Sequence, residues 1–185
     1  MSNLTLKNDS SADQYVDAIV NAANKNLLGG SGVCGAIFKK AGHQQLTEYC
    51  SKIETPLKDG EAVITPAFNT PNTNYIIHAV GPNFSITPEA FDALEEAYYN
   101  SLIVLRDNNL HSISFPLISS GIFGGRLSNP VGLSTEKCIK AYKKFIEENP
   151  KYEIDVLLCA FTEKEMQLAS EVYNNLYETE QKLTK

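Results

Sequence analysis

Asn21, Asn24 and a closely spaced set of glycines lie on one short stretch of this chain, in an order that makes an anion site with an amide beside it. From Val20 to Phe38 the sequence reads Val-Asn-Ala-Ala-Asn-Lys-Asn-Leu-Leu-Gly-Gly-Ser-Gly-Val-Cys-Gly-Ala-Ile-Phe. An apolar run ends at the asparagines, opens into a glycine loop and continues as a helical pattern. Glycines let the backbone approach a ligand that side chains would hold off. The N–H groups that start the helix then point at the ligand, aided by a macrodipole equivalent to about half a positive charge. A phosphate group is the first inference.

A second glycine loop, Phe115 to Arg126, reads Phe-Pro-Leu-Ile-Ser-Ser-Gly-Ile-Phe-Gly-Gly-Arg. Two anion loops suit a diphosphate. Neither contains the Gly-Lys-Ser/Thr of a P-loop, and neither matches Gly-x-Gly-x-x-Gly, so Mg-nucleotide and Rossmann readings lose support. The formal net charge is −6, which leaves no global basic field to gather a nucleic-acid backbone. Extended DNA or RNA binding is disfavoured. An anionic ligand on an acidic chain must instead be held by local dipoles and main-chain amides.

Positioning such loops requires strands that end beside them, and strand and helix signals alternate along the whole sequence. Residues 4–7, 17–22, 61–67, 74–80, 112–118 and 153–161 read as strands, several of them continuous apolar runs of the buried type. Helical patterns cover about Val33 to Ile53; a stretch opening at Thr87-Pro88-Glu89, with Thr87 as N-cap; a stretch through Cys138, Tyr142, Phe145 and Ile146 that stops at Asn149-Pro150; and a stretch from about Lys164 onward. The expected fold is an α/β sandwich around a mixed, largely parallel sheet. Ligands in such sheets bind at the carboxyl ends of the strands, where both glycine loops fall.

At 185 residues and 43% hydrophobic content the chain fits one domain, 1–185, with a sizeable core. No apolar run approaches the roughly 20 residues of a bilayer span, and no signal-peptide pattern opens the sequence. A cytoplasmic protein with no membrane partner, monomeric, is expected. Cys34, Cys50, Cys138 and Cys159 form no Cys-x-x-Cys pair, and His43, His78 and His111 are equally dispersed. Neither a disulfide framework nor a structural metal site is expected. Residues 177–185 are charged and read as a solvated helix end or frayed tail.

Asp-Ala-Ile-Val-Asn-Ala-Ala-Asn at 17–24, Leu-Leu-Gly-Gly-Ser-Gly-Val-Cys-Gly-Ala-Ile at 27–37, Gly-Glu-Ala-Val-Ile-Thr at 60–65, Ile-His-Ala-Val-Gly-Pro at 77–82 and Phe-Pro-Leu-Ile-Ser-Ser-Gly-Ile-Phe-Gly at 115–124 together resemble the ADP-ribose-binding macrodomain. Most of the chain is similar to the bacterial and MacroD-type hydrolase branch. Gly-Val-Cys at 32–34 and His-Ala-Val-Gly-Pro-Asn-Phe-Ser at 78–85 resemble the alphavirus macrodomains instead.

The resemblance implies a three-layer α/β/α sandwich with a mixed, largely parallel central sheet and a cleft for ADP-ribose, no cofactor or metal, and mono-ADP-ribosylated proteins as partners. Asp9 matches the acidic residue that accepts from the adenine amine, although the family's Asp-Ile is here Asp9-Ser10; an ordinary turn residue is the alternative. Phe161 sits where the family places a side chain against the adenine face, or else is a core phenylalanine. Asn24 matches the asparagine that bonds the distal ribose, for which a carboxamide serves as donor and acceptor without adding charge. Asn21 is read as structural, tying loop backbone together. Gly30, Ser31, Gly32 and Val33 would contact the distal ribose and one phosphate. Ser119, Ser120, Gly121, Ile122 and Phe123 would wrap the other side of the diphosphate, with Phe123 over the distal ribose or, alternatively, in the core.

Cys34 departs from the MacroD-type pattern, which has Asp there and His where this chain has Phe38. The implied activity is removal of ADP-ribose from acidic side chains, and from O-acetyl-ADP-ribose, by a water that the substrate's own diphosphate helps to hold. A non-catalytic ADP-ribose reader is the alternative. Covalent catalysis by Cys34 is the weakest reading, because no histidine is placed by sequence to serve as its base and Cys is often a small buried hydrophobe.

Overall fold

The computed structural model describes residues 1–178. Six strands form one sheet: β1 (Asn3–Asn8), β2 (Ala18–Ala22), β3 (Ala62–Pro66), β4 (Tyr75–Ala79), β5 (Ser112–Phe115) and β6 (Asp155–Ala160). Their order is β1-β6-β5-β2-β4-β3, parallel throughout except for β3, which runs antiparallel to β4 at one edge. Parallel strands covered on both faces must be apolar on both faces, and residues 18–21 of β2 are all buried. The sheet lies between helices α1 (Gly32–Ala41) and α2 (His43–Ser51) on one face and α3 (Phe91–Asp107), α4 (Pro130–Glu148) and α5 (Glu163–Tyr173) on the other. Ile19, Ile37, Phe38, Leu46 and Ile76 pack in the first layer, and Val20, Ile77, Leu94, Tyr98, Ile113 and Phe145 in the second. This is the α/β sandwich that the alternation of elements predicts, in the three layers that the resemblance implies.

Four boundaries differ from the sequence reading, each for a local reason. The single helix expected from Val33 to Ile53 is broken at Gly42, whose φ of 107° ends α1 and starts α2. Thr87 is not an N-cap: its hydroxyl donates to the Asn83 carbonyl at 3.2 Å and its carbonyl accepts from the Ala90 N–H at 3.2 Å, so this segment is a turn and α3 begins at Phe91. Helix α4 starts much earlier than its apolar pattern, at Asn129-Pro130, where Asn129 Oδ1 accepts from the Gly132 N–H at 2.9 Å and Pro130 fills the first turn. β5 stops at Phe115 because Pro116 has no N–H to give to a ladder.

The expected solvated tail is corrected in part. Tyr177 is buried in a π-helical turn (Asn174–Glu178), with its hydroxyl accepting from the Leu4 N–H at 3.4 Å, while Tyr173 donates to the Leu4 carbonyl at 2.8 Å. Both tyrosines thereby occupy main-chain groups on the outer side of edge strand β1. Residues 179–185 lie outside the described residues.

One buried polar network fixes the strand that leads into the first glycine loop. Asn21 on β2 and His78 on β4 are register partners, and Asn21 Nδ2 meets His78 Nδ1 at 3.1 Å while Thr65 Oγ1 on β3 meets His78 Nε2 at 2.9 Å. With Asn21 donating to Nδ1, the ring proton sits on Nε2 and is given to Thr65. The imidazole is wholly buried under the edge of Phe38, and burial pushes its pKa down to about 4. A depressed histidine pKa stabilises the fold above the unfolded value of about 6.5, and that stability is lost as pH falls toward the folded value. The unfolding free energy from denaturant titrations between pH 7 and pH 4 should therefore fall on the order of 3 kcal/mol more in the wild type than in His78→Gln. Parallel pH curves would remove His78 as the cause.

Candidate active site

The chain leaves β2 through α1 and α2 toward the β3 edge, and leaves β5 through α4 toward the β1 edge. β2 and β5 are neighbours in the sheet, so the two connections diverge and open a crevice at their carboxyl ends. A cleft of about 860 Å³ occupies that place, within the size range of small-molecule sites. It extends over the ends of β2, β5, β6 and β1, three inter-strand steps or roughly 14 Å. The cleft is long enough for an extended ligand.

Both glycine loops line it. Gly30, Ser31, Gly32, Val33 and Cys34 come from the β2 side, and Ser119, Ser120, Gly121, Ile122 and Phe123 from the β5 side. Among the described residues, the main-chain N–H groups of Gly30, Ser31, Gly32 and Val33 and of Ser119 to Phe123 have no hydrogen-bond partner. Two runs of free donors thus border one cavity, the first of them at the N-terminus of α1. Among the described residues no lysine or arginine lines the cleft, and the one carboxylate that does, Glu165, is engaged in the capping box of α5, accepting from the Thr162 N–H at 2.9 Å. Any anion bound here is held by main-chain dipoles.

Asn24 lines the cleft, and its carboxamide is turned onto its own loop: Oδ1 accepts from the Leu28 N–H at 2.9 Å and Nδ2 donates to the Leu28 carbonyl at 2.8 Å. The loop-tying role expected of Asn21 therefore belongs to Asn24, and Asn21 serves the His78 network. The Cys34 thiol, nearly buried, donates to the same Leu28 carbonyl at 3.6 Å. Phe123 is half-buried, Ile122 is 86% exposed and Phe161 is 71% exposed, so neither Ile122 nor Phe161 is a core residue. Phe161 borders the cleft at the end of β6.

Asp9 does not line the cleft. Its carboxylate accepts from the Ser10 N–H at 2.7 Å and pairs with Lys7 at 3.5 Å, and hydrogen bonds from Gln14 and the Ser10 N–H hold its pKa below the usual carboxylate value. Ser10 and Ser11, which follow it, do line the cleft. Ser11 Oγ is buried with no hydrogen-bond partner among the described residues. Sequence reasoning missed Ser11, Cys159 and Glu165, which no local motif marks. It also missed His43, whose ring lies so close to the first loop that a Cβ on Gly29 would stand 2.8 Å from Nε2. The break at Gly42 is what turns His43 to that position.

Residues 20–130 match the Macro domain family. An O-acetyl-ADP-ribose deacetylase of Escherichia fergusonii is 38% identical over 87% of this chain and 87% of its own length. The chain belongs to the macrodomain family. The ADP-ribose glycohydrolase MACROD1 of Bos taurus is also 38% identical, over 81% of this macrodomain, which spans 45% of the cattle protein. Among solved structures, an Oceanobacillus iheyensis macrodomain with ADP superposes with a TM-score of 0.85 at 31% identity, covering 96% of this chain and 93% of that one.

The family match spans Asn24 and both glycine loops of this macrodomain, whereas Asp9 and Phe161 fall outside it. Within the loops, position 32 faces open space: Gly32 has φ +61°, and a Cβ there meets nothing within 4 Å. Position 35 is closed, because a Cβ on Gly35 would lie 2.5 Å from the Gly30 carbonyl oxygen. Gly32→Glu should fold with a loss of about 1–2 kcal/mol from the left-handed backbone alone. Gly35→Ala should lose more than Gly32→Glu despite its gain in helix propensity, since main chain must move. Urea denaturation of the two variants checks the order.

Proposed function

We propose that this macrodomain binds ADP-ribose and releases it from acidic side chains of mono-ADP-ribosylated proteins, and from O-acetyl-ADP-ribose. The observation that carries the reading is the pair of unpaired N–H runs bordering one cleft, which matches a diphosphate flanked by two larger groups. The names borne by the cattle and Escherichia relatives support the same class of ligand. In this reading the diphosphate bridges the α1 N-terminus and the 119–123 loop. The distal ribose lies between Asn24 and Phe123, and the adenine lies toward Ser11 and Phe161. Stacking on Phe161 contributes about 1–3 kcal/mol by analogy with single-strand binders.

The reaction is attack of water on the distal ribose C1″. The water oxygen forms a bond to C1″, the C1″–O bond to the carboxyl group breaks, the carboxylate leaves with the bonding pair, and the water proton passes to a diphosphate oxygen or to solvent. Among the described residues Cys34 is bonded to the Leu28 carbonyl and to no base, so in this reading the protein's contribution is placement of the water and sugar. Placement of this kind supplies about 7–11 kcal/mol in favourable intramolecular cases. Asn24 releases Leu28 or keeps one of its two bonds when it meets the ribose.

The test is time-resolved loss of label from a protein mono-ADP-ribosylated on glutamate, with EDTA present. Wild type should release the label. Asn24→Ala should lose most of the rate, and Cys34→Ala should keep it within about tenfold, as expected for a residue that only positions the loop. A loss above about a thousandfold in Cys34→Ala would restore a thiol nucleophile. Cys34 in place of the hydrolase branch's acid favours a second reading, a non-catalytic ADP-ribose reader, which would bind ADP-ribose, lose that binding in Gly32→Glu, and leave the label in place.

A further inference from the structure

Ile118 lies just before the 119–123 loop, past the point where β5 has left the sheet. Its two main-chain groups are met by side chains from two helices instead of a strand. The Ile118 N–H donates to the hydroxyl of Tyr98 on α3 at 3.0 Å, and its carbonyl accepts from Ser134 Oγ on α4 at 2.6 Å. Tyr98 Oη and Ser134 Oγ are themselves 2.6 Å apart. Each hydroxyl has one hydrogen. Ser134 commits its hydrogen to Ile118, so Tyr98 donates to Ser134 at 2.6 Å, with the Pro116 carbonyl a longer second acceptor at 3.3 Å, and the bonds close into a ring that starts and ends at Ile118.

Tyr98 and Ser134 are both fully buried. Burial drives the Tyr98 pKa far up, which keeps the phenol protonated and the ring complete. On the opposite side, Ser119 holds φ +58°, a costly conformation for serine, and its Oγ donates to the Pro82 carbonyl at 2.7 Å. Gly81 lies flush against the same two residues: a Cβ there would be 2.4 Å from both Ile118 Cγ2 and Ser119 Oγ. The chain is gripped front and back immediately before its free N–H groups begin.

We propose that Tyr98 and Ser134 are positioning residues for the cleft, setting the direction of the 119–123 N–H groups through Ile118 without touching the ligand. The proposal rests on the reading of this loop as a diphosphate site. Closed rings of hydrogen bonds in a dry interior strengthen one another, so the ring acts as a unit. Loss of either hydroxyl strands a main-chain group of Ile118, and the loop relaxes to find it a partner.

The test compares Tyr98→Phe, Ser134→Ala and the double variant with Tyr142→Phe, a buried tyrosine of α4 whose ring packs against Tyr177. Amide exchange without ligand should accelerate at Ile118, and at Gly124, whose N–H closes the loop on the Gly121 carbonyl, in the first three by about tenfold beyond any global change, and not in Tyr142→Phe. ADP-ribose affinity, measured well below every melting point, should fall about tenfold in Tyr98→Phe and in Ser134→Ala, and the double variant should be little worse than either. Tyr142→Phe should stay within about twofold even if it loses as much stability. If Tyr98→Phe fails to fold, Ser134→Ala carries both readouts. Affinity within about twofold of wild type, or unchanged exchange at Ile118, overturns the proposal. Absence of ADP-ribose binding in wild type overturns the proposed function instead, and the exchange measurement still decides whether the ring holds the loop.

Discussion

A folded chain rarely leaves main-chain N–H groups without partners, since an unpaired donor shielded from water costs about 1–3 kcal/mol. This macrodomain leaves two runs of them beside one cleft, and the surrounding structure is arranged to keep them unpaired without letting the loops collapse onto themselves. The parallel sheet supplies the first condition: β2 and β5 end side by side while their connections depart toward opposite edges, so no following strand or turn covers the crevice. An acidic chain with no basic side chain among the described residues of its cleft relies on these dipoles to attract an anion.

Each run is fixed from behind by side chains that take up the neighbouring main-chain groups. Asn24 closes on both polar groups of Leu28 ahead of the first run, and Cys34 adds a bond to the same carbonyl. Behind the second run stand the Tyr98–Ser134 ring on Ile118 and the Ser119–Pro82 bond. At its far end the Phe123 carbonyl accepts from the Phe84 N–H at 2.8 Å. The Asn21–His78–Thr65 network sits one step deeper and ties β2, β4 and β3 together under α1. Rigidity is thus spent on groups next to the free donors, which lowers the entropy lost when a ligand is ordered against them.

All six strands were legible in the sequence: β2, β4 and β6 as the nearly continuous apolar runs that cover on both faces requires, and edge strand β1 as an alternation of Leu4 and Leu6 with polar residues. Helix limits were less so. The pattern of α1 continues in register across Gly42, and only the positive φ adopted there shows a break. The start of α4 carried its mark, asparagine before proline, which an apolar pattern beginning later obscured. The glycine loops were legible since a loop that approaches a ligand needs small residues at short range, and both fall on the cleft. What converges from distant elements was not: Ser11, Cys159 and Glu165 reach the cleft, His43 reaches Gly29, and Tyr98 reaches Ile118 through tertiary packing alone. Tyr98 and Tyr177 illustrate the limit: Tyr98 reads as one more apolar residue on a helix and Tyr177 as part of a charged tail, while the hydroxyl of each holds a main-chain group elsewhere.

The measurement that bears most directly on this account is a titration of the labelled protein with ADP-ribose, followed through the backbone amide resonances. Gly32 and Val33 on one side and Gly121, Ile122 and Phe123 on the other should shift together, along one saturation curve, with small changes at amides already bonded within the sheet. Shifts confined to one loop, or centred on residues away from the cleft, would contradict a diphosphate held between the two runs of free N–H groups.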